Sequence, residues 1–269
     1  CLYNKQKDLY FLYSRANVGK QERYIQYATS KDFINWEPMK LIRMDPKYGK
    51  GDNYYISNFF QYPDSNIFMS ILPYFNKLTC KKKGGKIYLF HSKDATIWKR
   101  CSELFSTGGF NGLVQKIKND CQPVNNIIIS NDSKRLYVYI HENFYGYYPG
   151  KPTYVDRYSI RLDGFSSVKS KNGHFITKKT KFVGNKIQLN YKSWNVNGYI
   201  KISILDSNLI PIENYDEINC DKLIGDELCK DVSWNNKTEL SSILEDDYVH
   251  IKVYLHKSTI FSISGIEIM

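Results

Sequence analysis

Histidine and cysteine are scarce in this chain, and neither occurs at the spacings that typically bind a metal ion. The 269 residues include five His and six Cys, with no CxxC and no HxxxH pattern. Zinc sites built on such patterns depend on the spacing because their ligands must converge on one ion. We therefore predict no metal site and no cofactor. The irregular cysteine spacing defines no disulfide framework either, so we expect mostly buried thiols with one or two bridges at most.

Long apolar runs are missing as well. No stretch approaches the roughly 18 to 20 apolar residues that a membrane span requires, so we predict no membrane span. The chain begins with Cys1 inside strand-like sequence and carries no signal-peptide pattern, which we interpret as a fragment lacking its natural N-terminus. A mature lipoprotein, which also starts with Cys, is the alternative. An extracellular or periplasmic location is favoured over a cytoplasmic one, and the oligomeric state stays open.

Acidic residues are outnumbered by basic ones, 27 to 38, which gives a formal net charge of +11. Such a charge can steer a protein toward nucleic acid, an acidic polysaccharide or an anionic surface. The lysines are nevertheless scattered through turns and strand edges, and they form short clusters only at Lys81 to Lys83 and Lys178 to Lys181. The sequence contains no recognisable nucleic-acid-binding module, so we predict no nucleic-acid partner. Binding of an anionic polymer stays open as an alternative, and it predicts lysines gathered on one face.

Aromatic residues are abundant by contrast, at 15% of the chain with 23 Tyr. Aromatic and β-branched side chains fit a pleated sheet, and alternating segments such as Asp8 to Arg15 and Arg135 to Glu142 follow the strand period. Three to four such strands recur about every 60 to 70 residues up to Gly173. That rhythm is typical of propeller blades.

A repeated segment lies within these strands. Ser-Lys-Asp followed four residues later by Trp occurs twice, so that Asp32 and Trp36 lie 62 residues before Asp94 and Trp98. An aspartate in a tight turn accepts backbone N–H groups, and a tryptophan can pack beneath the hairpin. We predict equivalent turns with both tryptophans buried at equivalent positions. A weaker third copy, at Asp163, keeps Asp-Gly-aromatic and loses the tryptophan.

The rhythm changes after Gly173 to shorter alternating runs spaced by polar turns, as in a β-sandwich. We therefore predict an all-β protein with about three blades of a five-bladed propeller at residues 1–172 and a C-terminal β-sandwich at residues 173–269. Strands of residues 174–269 that pair continuously into the propeller blades would contradict this boundary.

The ordered C-terminal pattern, together with the Asp-turn-Trp repeats, resembles bacterial glycoside-hydrolase-like proteins with a five-bladed propeller and a sandwich, relatives of glycosidase families 32 and 43. The pattern consists of Thr177, Gly184, Leu189-Asn190, Gly198-Tyr199-Ile200, Leu205-Asp206, Ile210-Pro211, Ile224-Gly225-Asp226, Val232-Ser233-Trp234 and Ile260-Phe261-Ser262. The resemblance covers roughly residues 8 to 269. It implies a central funnel with carboxylates that binds a sugar. Active members use three acids in early blades, and their Asn-Asp-Pro-Asn-Gly, Arg-Asp-Pro and Glu-Cys-Pro segments are absent from this sequence.

Two acidic residues are the candidates for glycosidase chemistry, which requires a pair of carboxyl groups flanking the scissile bond. Asp52 precedes an aromatic strand, and Glu142 ends another strand beside the Tyr-rich segment 144–148. Turn capping by Asp52 and an exposed strand-end position for Glu142 are the structural alternatives. Five further residues could bind substrate through an Arg fork, a His ring or aromatic rings that stack on sugars: Arg15, Tyr54, His141, Tyr145 and Tyr147.

Two functions follow from these residues. The first is a glycoside-hydrolase-like protein that binds carbohydrate, with hydrolysis by the funnel carboxylates left open. The second is a non-catalytic carbohydrate-binding or structural module. An enzyme needs two acids converging in the funnel, whereas a binding module needs aromatic rings and scattered hydrogen-bonding groups.

Overall fold

The computed structural model describes residues 1–19, 22–55, 58–63, 65–76, 78, 86–106, 122–124, 126–142, 150, 152–240 and 248–268. Every regular element in these ranges is a β-strand, which confirms the all-β prediction. Across the same ranges, no helix is long and apolar enough to cross a membrane. The chain divides into two compact units, Cys1–Ile160 and Arg161–Met269.

Fourteen strands occupy the described part of the first unit: β1 (Leu2–Asn4), β2 (Leu9–Val18), β3 (Glu22–Ser30), β4 (Lys40–Leu41), β5 (Arg43–Asp45), β6 (Asp52–Tyr54), β7 (Asn58–Gln61), β8 (Phe68–Asn76), β9 (Lys86–Ser92), β10 (Ile97–Ser106), β11 (Gln122–Pro123), β12 (Ile128–Ile129), β13 (Arg135–Glu142) and β14 (Tyr154–Arg161). Strands β1–β4 and β7–β10 form two antiparallel meanders. A third group has β13 between β11 and β12, with β14 also paired to β13.

The short strand β6 joins the two meanders. It pairs antiparallel with β8 and parallel with β3, where Arg23 lies opposite Asn53. The meanders therefore belong to one ten-stranded sheet in the described residues. The number of blades and the propeller assignment stay predictions.

Aromatic side chains dominate the core of the first unit. Trp98 is completely buried, with its ring centroid 5.9 Å from that of Tyr13 and 5.0 Å from that of Phe59. The Tyr13 hydroxyl donates a 2.6 Å hydrogen bond to the Ala95 carbonyl. Burial of large rings is the main stabilising contribution here, and the hydroxyl bond satisfies a polar group buried with them.

Seven strands form the second unit: β15 (Val168–Ile176), β16 (Thr180–Phe182), β17 (Gln188–Ser193), β18 (Tyr199–Leu205), β19 (Asp226–Asp231), β20 (His250–Ser264) and β21 (Ile266–Ile268), counted in the described residues. The long strand β20 is central. Strand β15 pairs along one edge of β20, and β18 and then β17 pair along the other. Strand β19 pairs with β17, and β16 with β21 forms a separate two-stranded ribbon.

Alternation along these strands builds a second core. Ile200, Ile202 and Ile204 of β18 face Ile251 and Val253 of β20 in one buried cluster. The period of two places these side chains inward and turns the neighbouring Lys201 and Lys252 to the other face of the sheet. Residue 172, where the sequence pattern placed the domain boundary, lies within β15, whereas the compact units divide between residues 160 and 161. The sandwich assignment stays a prediction.

Candidate functional site

The two repeated aspartates form the same turn. The Asp32 carboxylate accepts hydrogen bonds from the backbone N–H groups of residues 34 and 35, at 2.9 and 2.7 Å. The Asp94 carboxylate accepts the equivalent bonds from residues 96 and 97, at 2.9 and 2.8 Å. In both turns the following residue has positive φ, 64° at Phe33 and 65° at Ala95. The predicted equivalence is confirmed, and both aspartates stabilise turns.

The tryptophans are equivalent in bonding but not in burial. Each indole N–H donates to the carbonyl three residues earlier, Trp36 to Phe33 at 3.2 Å and Trp98 to Ala95 at 3.3 Å. Trp98 is buried, whereas Trp36 is only half-buried. The prediction of equal burial is therefore wrong. Trp98 lies beneath two aromatic rings of the sheet, and the ring contact of Trp36 is with the exposed Phe33.

The third copy of the turn lies elsewhere than predicted. Ser130 donates to Asp132 at 2.5 Å, Asp132 accepts the Lys134 N–H at 3.1 Å, and Ser133 has positive φ. This is the Ser-x-Asp arrangement of the other two turns. Residue 161, two before Asp163, is Arg, so the serine bond cannot form there.

Asp52 is buried and strongly bound. Its Oδ1 accepts hydrogen bonds from the Tyr74 hydroxyl at 2.9 Å and the Asn76 amide at 2.8 Å. Its Oδ2 accepts the Gly49 N–H at 2.7 Å. These bonds compensate for burial of the carboxylate and fix the loop that leads into β6. The turn-capping alternative therefore describes the contacts that Asp52 makes.

Glu22 lies next to this loop, and the sequence reasoning missed it. One carboxylate oxygen accepts the Gly51 N–H at 2.8 Å, and the other accepts the Tyr24 hydroxyl at 2.9 Å. Glu22 is half-buried, so water or a ligand can still reach it. Alternation along β3 places Glu22 and Tyr24 on one face, which is visible in the sequence. Their approach to Gly51 requires the parallel pairing of β3 with β6, for which no local signal exists.

A row of tyrosines runs beside the two carboxylates. Tyr24 stacks on Tyr48 with ring centroids 4.0 Å apart, and the row continues through Tyr54, Tyr74 and Tyr88 at centroid separations of 5.7, 5.0 and 5.3 Å. Tyr24, Tyr48 and Tyr74 are half-buried, and the other two are buried. We call Glu22, Asp52 and these five tyrosines the tyrosine–carboxylate cluster.

Charges and burial set the protonation of this cluster. Burial raises the pKa of Tyr24 to about 12, with the Glu22 hydrogen bond and the negative charges of Glu22 and Asp52 acting in the same direction. Burial and then the Asp52 charge raise the pKa of Tyr54 as well. The Gly51 N–H, and then the Tyr24 hydroxyl, lower the pKa of Glu22. At neutral pH Glu22 is thus an acceptor, and the phenols are donors.

Arg23 borders the cluster. Its guanidinium donates a 2.9 Å hydrogen bond to the Tyr55 hydroxyl and lies 5.3 Å from the Tyr55 ring centroid. Both side chains are half-buried. Alternation along β3 places this pair on the opposite face of the sheet from Glu22 and Tyr24.

Glu142 has a different set of partners. It is buried at the end of β13, where the hydroxyls of Tyr154 and Tyr158 donate hydrogen bonds to its two oxygens. Its burial differs from the exposed strand-end alternative. Asp52 and Glu142 are thus each held by their own donors, and neither bond set joins them.

The other predicted substrate-binding residues are distributed differently. Arg15 is exposed on β2, Tyr54 is buried inside the tyrosine–carboxylate cluster, and His141 is half-buried on β13 opposite Gln122. Tyr145 and Tyr147 lie outside the described residues. Their predicted roles stay predictions.

A cleft of about 190 Å³ lies elsewhere in the first unit. Its walls include Lys7, Phe11, Tyr27, Glu37 and Lys40. None of the predicted site residues lines it.

Four of the six cysteines belong to the described residues, and Cys80 and Cys121 lie outside them. The four described cysteines are unbridged, and Cys220 alone among them is buried, which corrects the expectation of mostly buried thiols. Burial raises the pKa of the Cys220 thiol to about 11. Within the described ranges, no group of three or more His, Cys, Asp or Glu side chains is placed to bind a metal ion.

Comparison with known proteins gives distant structural similarity. No protein-family model matches the chain, and no curated protein does either. A solved N-acetylgalactosamine deacetylase of F. plautii in complex with blood group B trisaccharide is 17% identical over 52% of this chain, with a TM-score of 0.38. This chain spans 39% of the deacetylase chain.

Two glycosidases are similar over a longer range. A Bombyx mori GH32 β-fructofuranosidase is 11% identical over 97% of this chain and 77% of its own, with a TM-score of 0.28. An exo-β-1,3-galactanase of Phanerochaete chrysosporium, solved with galactose, is 8% identical over 96% of this chain and 80% of its own, with a TM-score of 0.23. Glycoside hydrolases related to families 32 and 43 are thus among the structures similar to this all-β chain.

Proposed function

We propose that this chain is a glycoside-hydrolase-like carbohydrate-active protein that binds a sugar at the tyrosine–carboxylate cluster. One observation carries the proposal. The half-buried Glu22 carboxylate accepts one protein hydrogen bond on each oxygen and lies beside the half-buried, stacked rings of Tyr24 and Tyr48. A carboxylate oxygen accepts two hydrogen bonds, so each Glu22 oxygen retains capacity for a ligand hydroxyl.

The chemistry of a sugar fits these groups. The apolar faces of a pyranose or furanose ring pack on tyrosine rings, and its hydroxyls donate to carboxylates or accept from phenols and guanidinium groups. Glu22 supplies the acceptor, and Tyr24 and Tyr48 supply the aromatic surface. Asp52 is buried, so in this proposal it orders the loop that presents the Gly51 N–H to Glu22.

Hydrolysis is the second candidate function, and Glu142 favours it. A glycosidase needs a carboxylic acid that donates a proton and a second, ionised carboxylate. The lowered pKa of Glu22 suits the ionised role and not the acid role. Glu142 is a second buried carboxyl of this unit, with a phenol on each oxygen, and this candidate function assigns it the role of the acid.

The experiment is a binding screen of the full chain against a panel of oligosaccharides, followed by calorimetric titration of the best ligand. Glu22→Gln removes the charge of the acceptor and keeps the size of the side chain. We expect the affinity to fall about tenfold or more, since a hydrogen bond to a charged group contributes about 1.5–3 kcal/mol. Asp156→Asn is the matched control, because Asp156 is an exposed carboxylate of the same unit.

The two candidate functions are separated by turnover of the same ligand. If the chain hydrolyses it, Glu142→Gln should abolish turnover with little change in binding. Unchanged affinity in Glu22→Gln, with the ligand still bound, would remove the tyrosine–carboxylate cluster as the sugar site.

A further inference from the structure

The outward face of the second unit's main sheet contains a ladder of cationic and aromatic side chains. Tyr199 of β18 lies opposite His256 of β20, with their rings stacked 5.1 Å apart. On the next rung Lys201 lies opposite Tyr254, which in turn lies opposite His174 of β15. The inward neighbours on the same strands form the apolar core, so alternation turns this set toward solvent.

Lysine ammonium groups lie over the rings of this face. The Lys222 Nζ is 4.6 Å from the Tyr199 ring centroid, and the Lys252 Nζ is 4.9 Å from that of Tyr254. Just before β20, Tyr248 has the ammonium groups of Lys179 and Lys181 over its ring, at 4.3 and 4.9 Å. Cation–ring pairs thus recur along one line of alternate residues. We call Tyr199, Lys201, Lys252, Tyr254, His174 and His256, with Lys222, the basic sheet face.

Acidic residues are absent from the three strands that supply most of this face. Residues 161–269 contain 14 Lys and Arg and 14 Asp and Glu, so the unit has no formal net charge. Strands β15, β18 and β20 nevertheless contain five Lys and three His and no Asp or Glu. The edge strand β19 of the same sheet contains Asp226, Glu227 and Asp231, so the excess of positive charge is confined to β15, β18 and β20, where it attracts anions.

We propose that the basic sheet face binds an acidic polysaccharide through its sulfate or carboxylate groups. The proposal concerns a second site, independent of the tyrosine–carboxylate cluster. The positive charges of the basic sheet face complement the anionic groups of such a polymer. These cations follow the strands, and a linear polymer can lie along the same direction. Stacking of nucleic-acid bases is disfavoured, because Tyr199 and Tyr254 each already have an imidazole and an ammonium group against the ring.

The test is titration of the full chain with a heparin octasaccharide at several salt concentrations. The first unit must be controlled for, since the whole net charge of +11 lies in residues 1–160. We compare Lys222→Ala/Lys252→Ala with Lys230→Ala/Lys237→Ala, which removes the same charge from exposed positions of the same unit off the face. The face variant should bind about tenfold more weakly and with a shallower salt dependence, and the control variant should bind like wild type.

Three results would overturn the proposal. Equal weakening of heparin binding in both variants would indicate non-specific charge attraction. Unchanged binding in the face variant would place heparin elsewhere on the protein. Tighter binding of a single-stranded oligouridylate that displaces heparin would indicate a nucleic-acid site. Thermal unfolding of each variant confirms that it is folded. Glu22→Gln should leave heparin binding unchanged, so failure here is distinguishable from failure of the proposed sugar site.

Discussion

At the scale of single residues, the repeated aspartates are used for stability. Asp94 accepts two backbone N–H groups and the Thr96 and Ser92 hydroxyls, which closes the turn between β9 and β10. Burial raises the pKa of the Asp94 carboxyl, but the bonds from Ile97, Thr96 and Ser92 outweigh burial and lower the pKa to about 2. The pKa of an aspartate in an unfolded chain is about 3.9. The ionised carboxylate therefore stabilises the fold above about pH 4, and this contribution is lost as the pH falls through about 2.

Asp94→Asn tests this linkage, because the substitution removes the charge and keeps the shape. We expect the free energy of unfolding to fall by about 1 kcal/mol at pH 7, after allowance for solvent screening, and to change little at pH 2. Urea unfolding at both pH values measures it. Asp156→Asn, an exposed control, should have no comparable effect. An equal loss for Asp94→Asn at both pH values would show that geometry, and not charge, is responsible.

The tryptophans give a second prediction at this scale. Trp98→Ala leaves a cavity beneath Tyr13 and Phe59 and should cost about 3–5 kcal/mol of unfolding free energy. Trp36→Ala at the half-buried equivalent should cost about 1 kcal/mol, since its indole bond is the same but its packing is not. Chemical denaturation of both variants measures the two losses of unfolding free energy and shows whether the two tryptophans pack unequally. Similar losses would contradict the difference described above.

At the scale of elements, Arg161 ties three segments of the second unit together. Its guanidinium donates to the Asn190 side chain at 2.6 Å, the Asp226 carboxylate at 2.5 Å and the Glu227 carbonyl at 2.7 Å. It also lies 4.9 Å from the Phe261 ring centroid. One planar fork thus links Arg161 to β17, β19 and β20 within the second unit.

Arg161→Lys keeps the charge and loses the fork. We expect a loss of about 2 kcal/mol in the free energy of unfolding of the second unit, because several of these bonds cannot be made by one ammonium group. Lys192→Ala is the control, since Lys192 pairs with the same Asp226 at 2.9 Å but is 55% exposed, and it should cost less than about 0.5 kcal/mol. Differential scanning calorimetry of both variants measures these losses of unfolding free energy. Equal losses in Arg161→Lys and Lys192→Ala would contradict the role given to the fork.

Strands and turns were largely predictable where neighbouring residues in the sequence form the pattern that specifies them. Alternating aromatics predicted strands such as β2, β8 and β13, and the Ser-x-Asp spacing predicted the turns at Asp32 and Asp94. The parallel contact between β3 and β6 was not predictable, because one rung of pairing between distant segments has no sequence period. For the same reason Glu22 was missed, although Asp52 was identified.

At the scale of the whole molecule, the sequence revealed the net charge but not its distribution. The +11 belongs to the first unit, and the second unit is formally neutral. The basic sheet face depends on which lysines alternate outward on β15, β18 and β20, so it required the strand register. Burial was predictable for Trp98 and not for Trp36, because the same hairpin packs against different surroundings.

Hydrogen–deuterium exchange of the full chain, with and without the tightest-binding neutral oligosaccharide, tests the central claim most directly. If the tyrosine–carboxylate cluster binds the sugar, ligand should slow exchange in peptides covering residues 22–24 and 48–55, and Glu22→Gln should abolish this protection. Protection confined to peptides from residues 161–240, with none around Glu22 and Gly51, would contradict the claim.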